Sequence, residues 1–312
     1  MSKQKLIVLT GPTAVGKSKL SIELAKRIGG EIISADSMQV YKHMDIGTDK
    51  ISVAKMDGVP HHLIDILEPD EPFNVFLFQK LVKEAIADIS GRGKIPIIVG
   101  GTGFYIQAVL YDIDFTETDE DMTIRTELES RASNGEIQAL FNELKEIDPK
   151  SAEIIHANNV KRVIRALEYY KKTGRPISEH NEEQHQRTSP YDFRYFVLTD
   201  DREVLYSRID KRVDQMIEEG LEEEVRELLK LDIDRSATSM QGLGYREMIG
   251  YIDGEYDLDR AVYLIKRNTR HFAKRQLTWF RREKNVHWID KREFDRDDER
   301  ILEEMIRIFK DE

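Results

Sequence analysis

The sequence contains no cysteine among its 312 residues, which excludes a disulfide framework and any metal site built on thiolates. It also lacks an uninterrupted apolar run of about 18 residues, the length that a membrane-spanning helix requires. The apolar run within residues 1–9 is too short for a signal peptide. Because 40% of the residues are hydrophobic, there is enough apolar material for a core. We therefore expect a soluble, cytoplasmic protein with no membrane partner.

The chain also has no excess of positive charge: its acidic residues outnumber its basic ones, and its net charge is −11. Taken alone this value argues against a nucleic-acid partner, but phosphate contacts are local and depend on how charge is distributed. Residues 265–282 contain seven Lys or Arg and no acid, and residues 161–175 are basic apart from Glu168. Either run by itself suits a solvated helix face as well as an RNA-binding surface.

Hydrophobic patterning predicts alternating strands and helices in the first hundred residues. Compact apolar runs predict strands at residues 5–9, 31–35, 63–67 and 95–99, and two further strands later in the chain at 193–198 and 286–289. Helical spacing of apolar residues predicts helices at 17–28 and 78–89, between the early strands. Strands that alternate with helices indicate an α/β fold with a parallel sheet covered on both faces.

The pattern becomes purely helical over the middle of the chain. Helices are predicted at residues 124–131, 137–147 and 160–170, and we see no convincing strand between residues 117 and 189. We therefore predict a core made of residues 1–115 and 190–312, interrupted by an all-α insertion domain at 116–189. Asp200 or Asp201 is placed to cap the helix that follows the return to the sheet.

The strongest motif is a phosphate-loop (P-loop) pattern, G-x-x-x-x-G-K-[ST], between the first predicted strand and helix. Glycine lets backbone N–H groups turn around a phosphate, the lysine adds a mobile charge, and the serine offers a hydroxyl to Mg²⁺. The fold class is thus a P-loop NTPase-like three-layer α/β fold. The predicted diphosphate ligands are Gly11, Thr13, Ala14, Val15, Gly16, Lys17 and Ser18, and Ser18 is the predicted metal ligand.

A P-loop usually binds ATP or GTP, with an aspartate at the end of a second apolar strand helping to hold magnesium. Here the best such strand, residues 95–99, ends in Gly-Gly-Thr, and Asp65 is a weaker candidate. An ATPase or motor is therefore disfavoured, although the motif itself is an ATP-binding motif.

Asp36 follows the second predicted strand, at the end where open α/β sheets place ligand groups. A cleft carboxylate beside the P-loop and a simple turn aspartate fit this position equally well. The adjacent His61 and His62 invite a metal site, but without a third ligand in view we interpret them as loop residues.

Seven motifs occur in one order along nearly the whole chain, from residue 7 to about 282. After the P-loop they are DSMQVY at 36–41, MDIGT at 44–48, GGTGFY at 100–105, RVIRALE at 162–168, GYR at 244–246 and AKRQLTW at 273–279. This series resembles that of the bacterial tRNA dimethylallyltransferases, also called tRNA isopentenyltransferases. The set is far more specific than the P-loop alone.

The resemblance implies transfer of a dimethylallyl group from dimethylallyl diphosphate to N6 of the adenosine 3′ of the anticodon (tRNA position 37). It implies tRNAs that read codons beginning with U, release of diphosphate, Mg²⁺ as cofactor and a monomeric enzyme. Asp36 resembles the general base, Thr102 the ligand of the bridging oxygen, and Arg212 the arginine that reaches the diphosphate. Arg208 lies one helical turn from Arg212, so helix geometry alone leaves either arginine as a candidate.

The resemblance also implies contacts with the anticodon stem-loop, whose target base must flip out of its stack. Tyr245 is expected to stack on RNA. The candidate tRNA ligands are Asp36, Ser37, Met38, Gln39, Thr102, Lys161, Arg162, Arg165, Gly244, Tyr245, Arg246, Arg270, Lys274, Arg275 and Gln276.

Three other functions compete with this one. A P-loop kinase explains the loop and the insertion but not the two basic runs. An adenylate isopentenyltransferase would use free AMP or ATP, whereas the insertion and the basic runs favour a polymer. A non-catalytic RNA-binding module leaves the P-loop and Asp36 without a role.

Overall fold

A computed structural model describes residues 3–115 and 122–311. The chain divides into two compact units, one made of Met1–Leu110 and Pro190–Glu312 and the other of Tyr111–Ser189. The second unit thus begins five residues before the insertion predicted at 116–189. The predicted boundary itself borders residues 116–121, which lie outside the described part.

The first unit contains one six-stranded sheet in which every pair of neighbours is parallel. Its strands are β1 (Gln4–Thr10), β2 (Gly30–Ala35), β3 (His61–His62), β4 (Ile95–Gly100), β5 (Tyr191–Thr199) and β6 (Val286–Asp290). The spatial order is β3-β2-β4-β1-β5-β6. The α/β class predicted from alternating patterns is confirmed, with β1 and β4 at the centre of the sheet.

Helices cover both faces of this sheet. The helices of the first unit are α1 (Lys17–Ile28), α2 (Val75–Gly91), α3 (Gly103–Leu110), α9 (Arg202–Glu218), α10 (Leu221–Leu229), α11 (Tyr245–Ile252), α12 (Leu258–Phe280) and α13 (Asp298–Asp311). Ile7 and Leu9 of β1 pack into a core with α1 and α13, while the intervening Val8 is also fully buried. Because alternate strand residues face opposite sides, both faces of β1 are covered.

The ends of the helices follow from side chains and glycines at their caps. The Asp201 carboxylate accepts hydrogen bonds from the N–H groups of Glu203 and Val204 and so begins α9, as predicted. Asp257 begins α12 in the same way. Gly29 ends α1 in a left-handed conformation at φ 67°.

Helices are the regular elements of the second unit within its described residues, 111–115 and 122–189. Its helices are α4 (Thr123–Ser133), α5 (Ile137–Ile147), α6 (Pro149–Ile154), α7 (Val160–Thr173) and α8 (Ile177–His185). Leu128, Leu140, Leu144 and Leu167 belong to a separate apolar core, which lets this unit bury its own amphipathic faces. Across residues 3–115 and 122–311, no helix combines the length and apolarity needed to span a membrane.

The predicted strand at residues 63–67 is wrong. The third strand is instead His61–His62, which pairs with Ile32 and Ile33 of β2, so the loop assignment of these histidines is wrong as well. Leu63 and Asp65 adopt left-handed backbone conformations, at φ 62° and 54°, which a strand does not allow. The apolar residues at 66 and 67 hydrogen-bond back to Val40 rather than extending the sheet.

Glu31, at the amino end of β2, is the most enclosed acid of the sheet, with 1% of its surface exposed. Its carboxylate accepts hydrogen bonds from Arg92, from Lys94 at 2.9 Å and from His62 at 2.8 Å. The Arg92 guanidinium, followed by Lys94 and His62, holds the pKa of this carboxyl well below its usual range. The described ranges contain no group of three metal-ligating side chains, and His62 is bonded to Glu31 within this cluster.

We expect Glu31→Gln to lower the free energy of unfolding by about 3 kcal/mol at neutral pH, because it leaves the cations Arg92 and Lys94 beside a neutral amide. A carboxyl whose pKa is depressed by folding stabilises the protein above its unfolded pKa of about 4.3. The difference between wild type and variant should therefore shrink as the pH falls below about 4. Urea unfolding at several pH values tests this, with Glu23→Gln as the control, since Glu23 is an exposed partner of Lys26. A difference of the same size at pH 3 as at pH 7 would contradict the assignment.

Candidate active site at the carboxyl ends of the central strands

The register of the central strands brings three predicted segments together. Thr10 of β1 and Ala35 of β2 both lie beside Gly100 of β4. The residues that follow these three positions therefore emerge side by side at the carboxyl edge of the sheet. They are the P-loop, Asp36 and the turn that contains Thr102.

The P-loop has the tight backbone that its glycines predict. Gly11, Ala14 and Gly16 have φ values of 145°, 64° and 99°. A Cβ atom at Gly11 would lie 2.5 Å from the carbonyl oxygen of Leu198, so glycine is required there. Ser18 lies exposed in the first turn of α1, where its hydroxyl suits a magnesium ligand.

Lys17 lies across its own loop. Its Nζ donates hydrogen bonds to the carbonyl oxygens of Gly11 at 3.1 Å and Pro12 at 2.9 Å. Burial, together with the positive charge of Arg212, lowers the pKa of Lys17 to about 8, and the charges of Asp36 and Asp49 oppose this shift. A buried ammonium beside a second cation favours binding of an anion.

The structure distinguishes the two arginines of α9. Arg212 donates to the Thr13 hydroxyl at 3.1 Å and pairs with Asp49 at 2.9 Å, so it points at the P-loop. Arg208 instead pairs with the buried Asp200 at 3.1 Å. Arg212 is therefore the arginine of the site.

Asp36 combines the two roles that the sequence left open. Its Oδ1 accepts hydrogen bonds from the N–H of Met38 at 2.9 Å and of Gln39 at 3.4 Å, as in a turn. Its charge also acts on the pKa values of both Lys17 and Arg212, which places it in the same cleft. One oxygen thus holds the turn, and the other is available for chemistry.

Helix α12 holds the P-loop and the Thr102 turn from one side. The Gln276 side chain accepts from the Thr13 N–H at 2.9 Å and donates to the Gly101 carbonyl at 3.1 Å. Trp279 packs against Gly103, where a Cβ atom would lie 2.2 Å from the indole. Gln276 is 6% exposed and bonded at both ends, so its side chain braces the P-loop, and its contact with tRNA stays a prediction.

Tyr245 lies inside the protein rather than at its surface. Its ring is 1% exposed, and its hydroxyl donates to Glu224 at 2.6 Å, so neither face of the ring is open for stacking. The ring packs on Gly47, whose Cβ position would lie 2.6 Å from it. Tyr245 supports the loop at residues 44–48 rather than an RNA base.

Gln39 is engaged inside the protein as well. Its amide nitrogen donates to the carbonyl oxygens of Thr48 at 3.2 Å and Asp49 at 3.3 Å. The neighbouring Ser37 and Met38 are half-buried, and Met38 lies against Gly242. These contacts join the loops after β2 and before α11 at one rim of the cleft.

The remaining cations occupy exposed or ion-paired positions. Arg246 is exposed and is oriented by Glu247 at 2.7 Å, and Gly244 at φ 96° precedes it at the start of α11. Lys274 and Arg275 are exposed on α12, whereas Arg270 pairs with Asp210 of α9. In the second unit, three exposed side chains lie on α7, namely Lys161, Arg162 and Arg165.

Asp65 and Asp49 differ from expectation in opposite ways. Asp65, the candidate magnesium aspartate, pairs with Lys50, which also bonds Asp45 at 2.6 Å. The negative charge of Asp65 is therefore balanced by Lys50. Asp49, which the sequence reasoning missed, reaches the P-loop through Arg212. Its position directly after the 44–48 motif was the one available signal.

These features define a P-loop α/β protein with an anion-binding cleft that contains a carboxylate. A family model described as IPP transferase matches residues 39–283, and one described as isopentenyl transferase matches residues 4–66. The chain belongs to the tRNA dimethylallyltransferase (IPP transferase) family.

The similarity to individual relatives extends over nearly the full length. A tRNA dimethylallyltransferase of Lachnoclostridium phytofermentans is 60% identical, over 98% of this chain and 97% of that protein. The crystal structure of a tRNA isopentenylpyrophosphate transferase from Bacillus halodurans is 47% identical, covers 99% of this chain and 98% of its own, and has a TM-score of 0.74. A eukaryotic dimethylallyltransferase acting on tRNA is 34% identical, covers 93% and 74% of the two chains, and has a TM-score of 0.78.

We expect Gln276→Leu to lower the free energy of unfolding by about 2 kcal/mol, because two buried hydrogen bonds worth about 1 kcal/mol each are lost. The P-loop loses its brace, so the affinity for inorganic pyrophosphate should fall too. Urea unfolding and calorimetric titration measure the two effects. Gln138→Leu, at an exposed position of α5, is the control and should change stability by less than about 0.5 kcal/mol. Unchanged stability and pyrophosphate affinity in Gln276→Leu would contradict the bracing role.

Proposed function

We propose that this protein transfers a dimethylallyl group from dimethylallyl diphosphate to N6 of the adenosine that follows the anticodon in tRNA. The observation that carries the proposal is the shared level of Thr10, Ala35 and Gly100, which sets Asp36 and Thr102 beside the P-loop. Membership of the tRNA dimethylallyltransferase family supports it.

The diphosphate fits the P-loop, with backbone N–H groups and the amino end of α1 directed at its oxygens. Lys17 and Arg212 supply two positive charges beside the loop. Mg²⁺ would be held by the hydroxyl of Ser18 and would neutralise charge on the diphosphate. These groups stabilise the charge that develops on the leaving group as the allylic carbon–oxygen bond breaks. We assign to Thr102, on the neighbouring turn, the donation of a hydrogen bond to the bridging oxygen.

The acceptor nitrogen is an aromatic amine, which becomes acidic as its new bond to carbon forms. It must then lose a proton, and Asp36 is the carboxylate at this edge of the cleft that can accept it. The turn hydrogen bonds to Oδ1 fix the direction of the side chain. A fixed carboxylate also orients the amine before the reaction.

The adenine must leave its stack in the anticodon loop to reach this cleft. Exposed cations on the first unit, among them Arg246, Lys274 and Arg275, are suited to phosphate contacts. We assign the same role to Lys161, Arg162 and Arg165 on α7 of the second unit. We further propose that the protein works as a monomer in the cytoplasm, where its tRNA substrates occur.

The alternative functions are less well supported. A P-loop kinase needs an aspartate that helps to hold magnesium, and the candidate for that role, Asp65, is bonded to Lys50. Prenylation of free AMP leaves the exposed cations of α7 and α12 without a role. A non-catalytic RNA-binding module does not explain why Lys17, Arg212 and Asp36 converge.

Asp36→Asn is the sharpest test of the base, because asparagine retains the side-chain oxygen that accepts from Met38. We expect kcat to fall by about 10²–10⁴-fold, the usual contribution of a general base. The Kd for unmodified tRNA should change by less than about threefold, since the turn survives. Prenyl transfer to tRNA by mass spectrometry and filter binding provide the two measurements. Loss of tRNA binding in parallel with activity would assign Asp36 to structure instead.

Activity should also fall at alkaline pH through Lys17. A bound anion favours the protonated ammonium, so binding is strongest below the pKa of about 8 and weakens as the pH rises through it. We expect kcat/KM for dimethylallyl diphosphate to drop about tenfold from pH 7 to pH 9, since this ratio follows the free protein. Lys17→Arg, which stays charged, should lack this decline, and a flat wild-type profile would contradict the role of Lys17.

A further inference from the structure

Arg212 forms an ion pair with a carboxylate of the protein itself, that of Asp49. Its Nη2 pairs with Oδ2 of Asp49 at 2.9 Å, and Nη1 donates to the hydroxyl of Thr13 at 3.1 Å. Its Nε is buried and has no hydrogen-bond partner within the described part of the chain. One guanidinium therefore contacts both the P-loop and Asp49.

The segment that carries Asp49 is held in place from two sides. The Glu224 carboxylate accepts from the N–H groups of Asp45 at 2.8 Å, Ile46 at 2.7 Å and Gly47 at 3.1 Å. The amide of Gln39 donates to the carbonyl oxygen of Asp49 at 3.3 Å. Because the backbone is fixed, the Asp49 side chain cannot move far from the cleft.

The neighbouring arginines of this region do not share this arrangement. Arg208 pairs with Asp200, and Arg270 pairs with Asp210, and the structure gives neither arginine a contact with the P-loop. Asp49 is thus the carboxylate whose ion pair involves the arginine at the anion-binding loop. Desolvation raises the pKa of the Asp49 carboxyl, yet 59% of its side chain is exposed, so water reaches it when Arg212 turns to another anion.

We propose that Asp49 is a positioning residue that competes with diphosphate for Arg212 and thereby promotes release of the pyrophosphate product. The inference rests on the proposed function, because it takes the diphosphate to lie in the P-loop. A carboxylate beside this site both occupies the arginine and repels a polyanion. Free pyrophosphate carries more negative charge than its prenyl ester, so the repulsion acts more strongly on the product than on the substrate.

If Asp49 instead helped Arg212 to bind diphosphate, its removal would change the diphosphate affinity in the opposite direction. If Asp49 served chiefly to aim Arg212 at the diphosphate, removing its charge would weaken diphosphate binding. Competition predicts tighter binding instead. Measured affinity therefore separates the two roles directly.

The test is calorimetric titration of the full-length protein with inorganic pyrophosphate and Mg²⁺, comparing wild type with Asp49→Asn. Asparagine tolerates the left-handed backbone at this position, φ 51°. We expect pyrophosphate to bind on the order of tenfold more tightly to the variant. The inhibition constant of pyrophosphate in the transfer assay should fall by a similar factor, while KM for dimethylallyl diphosphate falls less.

Asp57→Asn is the matched control. Asp57 also has φ 51°, and it pairs with Lys26 near the last turn of α1. Its substitution makes the same charge change and should leave pyrophosphate affinity unaltered. Asp49→Gly, which also accepts a positive φ, repeats the test if the asparagine variant is poorly folded.

Unchanged or weaker pyrophosphate binding in a folded Asp49 variant would overturn the competing role. Failure of the wild-type protein to bind pyrophosphate would instead remove the proposed function, and this inference with it. Equal tightening in Asp57→Asn would show a general effect of net charge and would also overturn the assignment.

Discussion

The alignment of three neighbouring strand ends determines everything else at the site. In a parallel sheet all carboxyl ends meet at one edge, and here Thr10, Ala35 and Gly100 end at the same level. The glycine-rich turn after β1, the carboxylate after β2 and the threonine turn after β4 are adjacent for that reason. Slipping β2 by one residue against β4 would reverse the faces of its side chains and separate Asp36 from the loop.

Charge balance governs the cleft that this alignment creates. Arg212 lies close enough to Lys17 to disfavour its positive charge, and Asp36 and Asp49 offset part of that repulsion. A P-loop with two cations can stabilise a departing diphosphate without transferring a phosphoryl group. The aspartate that a nucleotide-hydrolysing relative would direct at magnesium is bonded here to Lys50. In the function we propose, the same loop architecture serves carbon–oxygen bond cleavage, with Asp36 at the end of β2 as the base.

Local patterns in the sequence were sufficient for much of the architecture. The strands around residues 5–9, 31–35 and 95–99, the P-loop and the cap at Asp201 were predictable because each depends on neighbouring residues. The errors involve contacts between distant parts of the chain. Leu63 and Asp65 leave the strand region in positive-φ conformations, which apolar periodicity does not reveal.

The same limit applies to the candidate site. Gln276 lies in a segment whose family resemblance implied a contact with tRNA, yet its amide bonds Thr13 and Gly101. Tyr245 lies between two residues suited to RNA, yet its ring is buried on Gly47. Asp49 had no motif of its own. Which partner a side chain meets across the fold cannot be obtained from its neighbours in sequence.

The brace supplied by Gln276 has a consequence for biosynthesis. Thr13 and Gln276 are separated by 263 positions. The P-loop is among the first segments to leave the ribosome, but the hydrogen bond to the Thr13 N–H can form only after nearly the whole polypeptide has been made. Strand β1 likewise gains its β5 neighbour only after the helical unit has been translated. Premature termination anywhere before α12 would thus yield a product that carries the phosphate-binding motif but not its working shape.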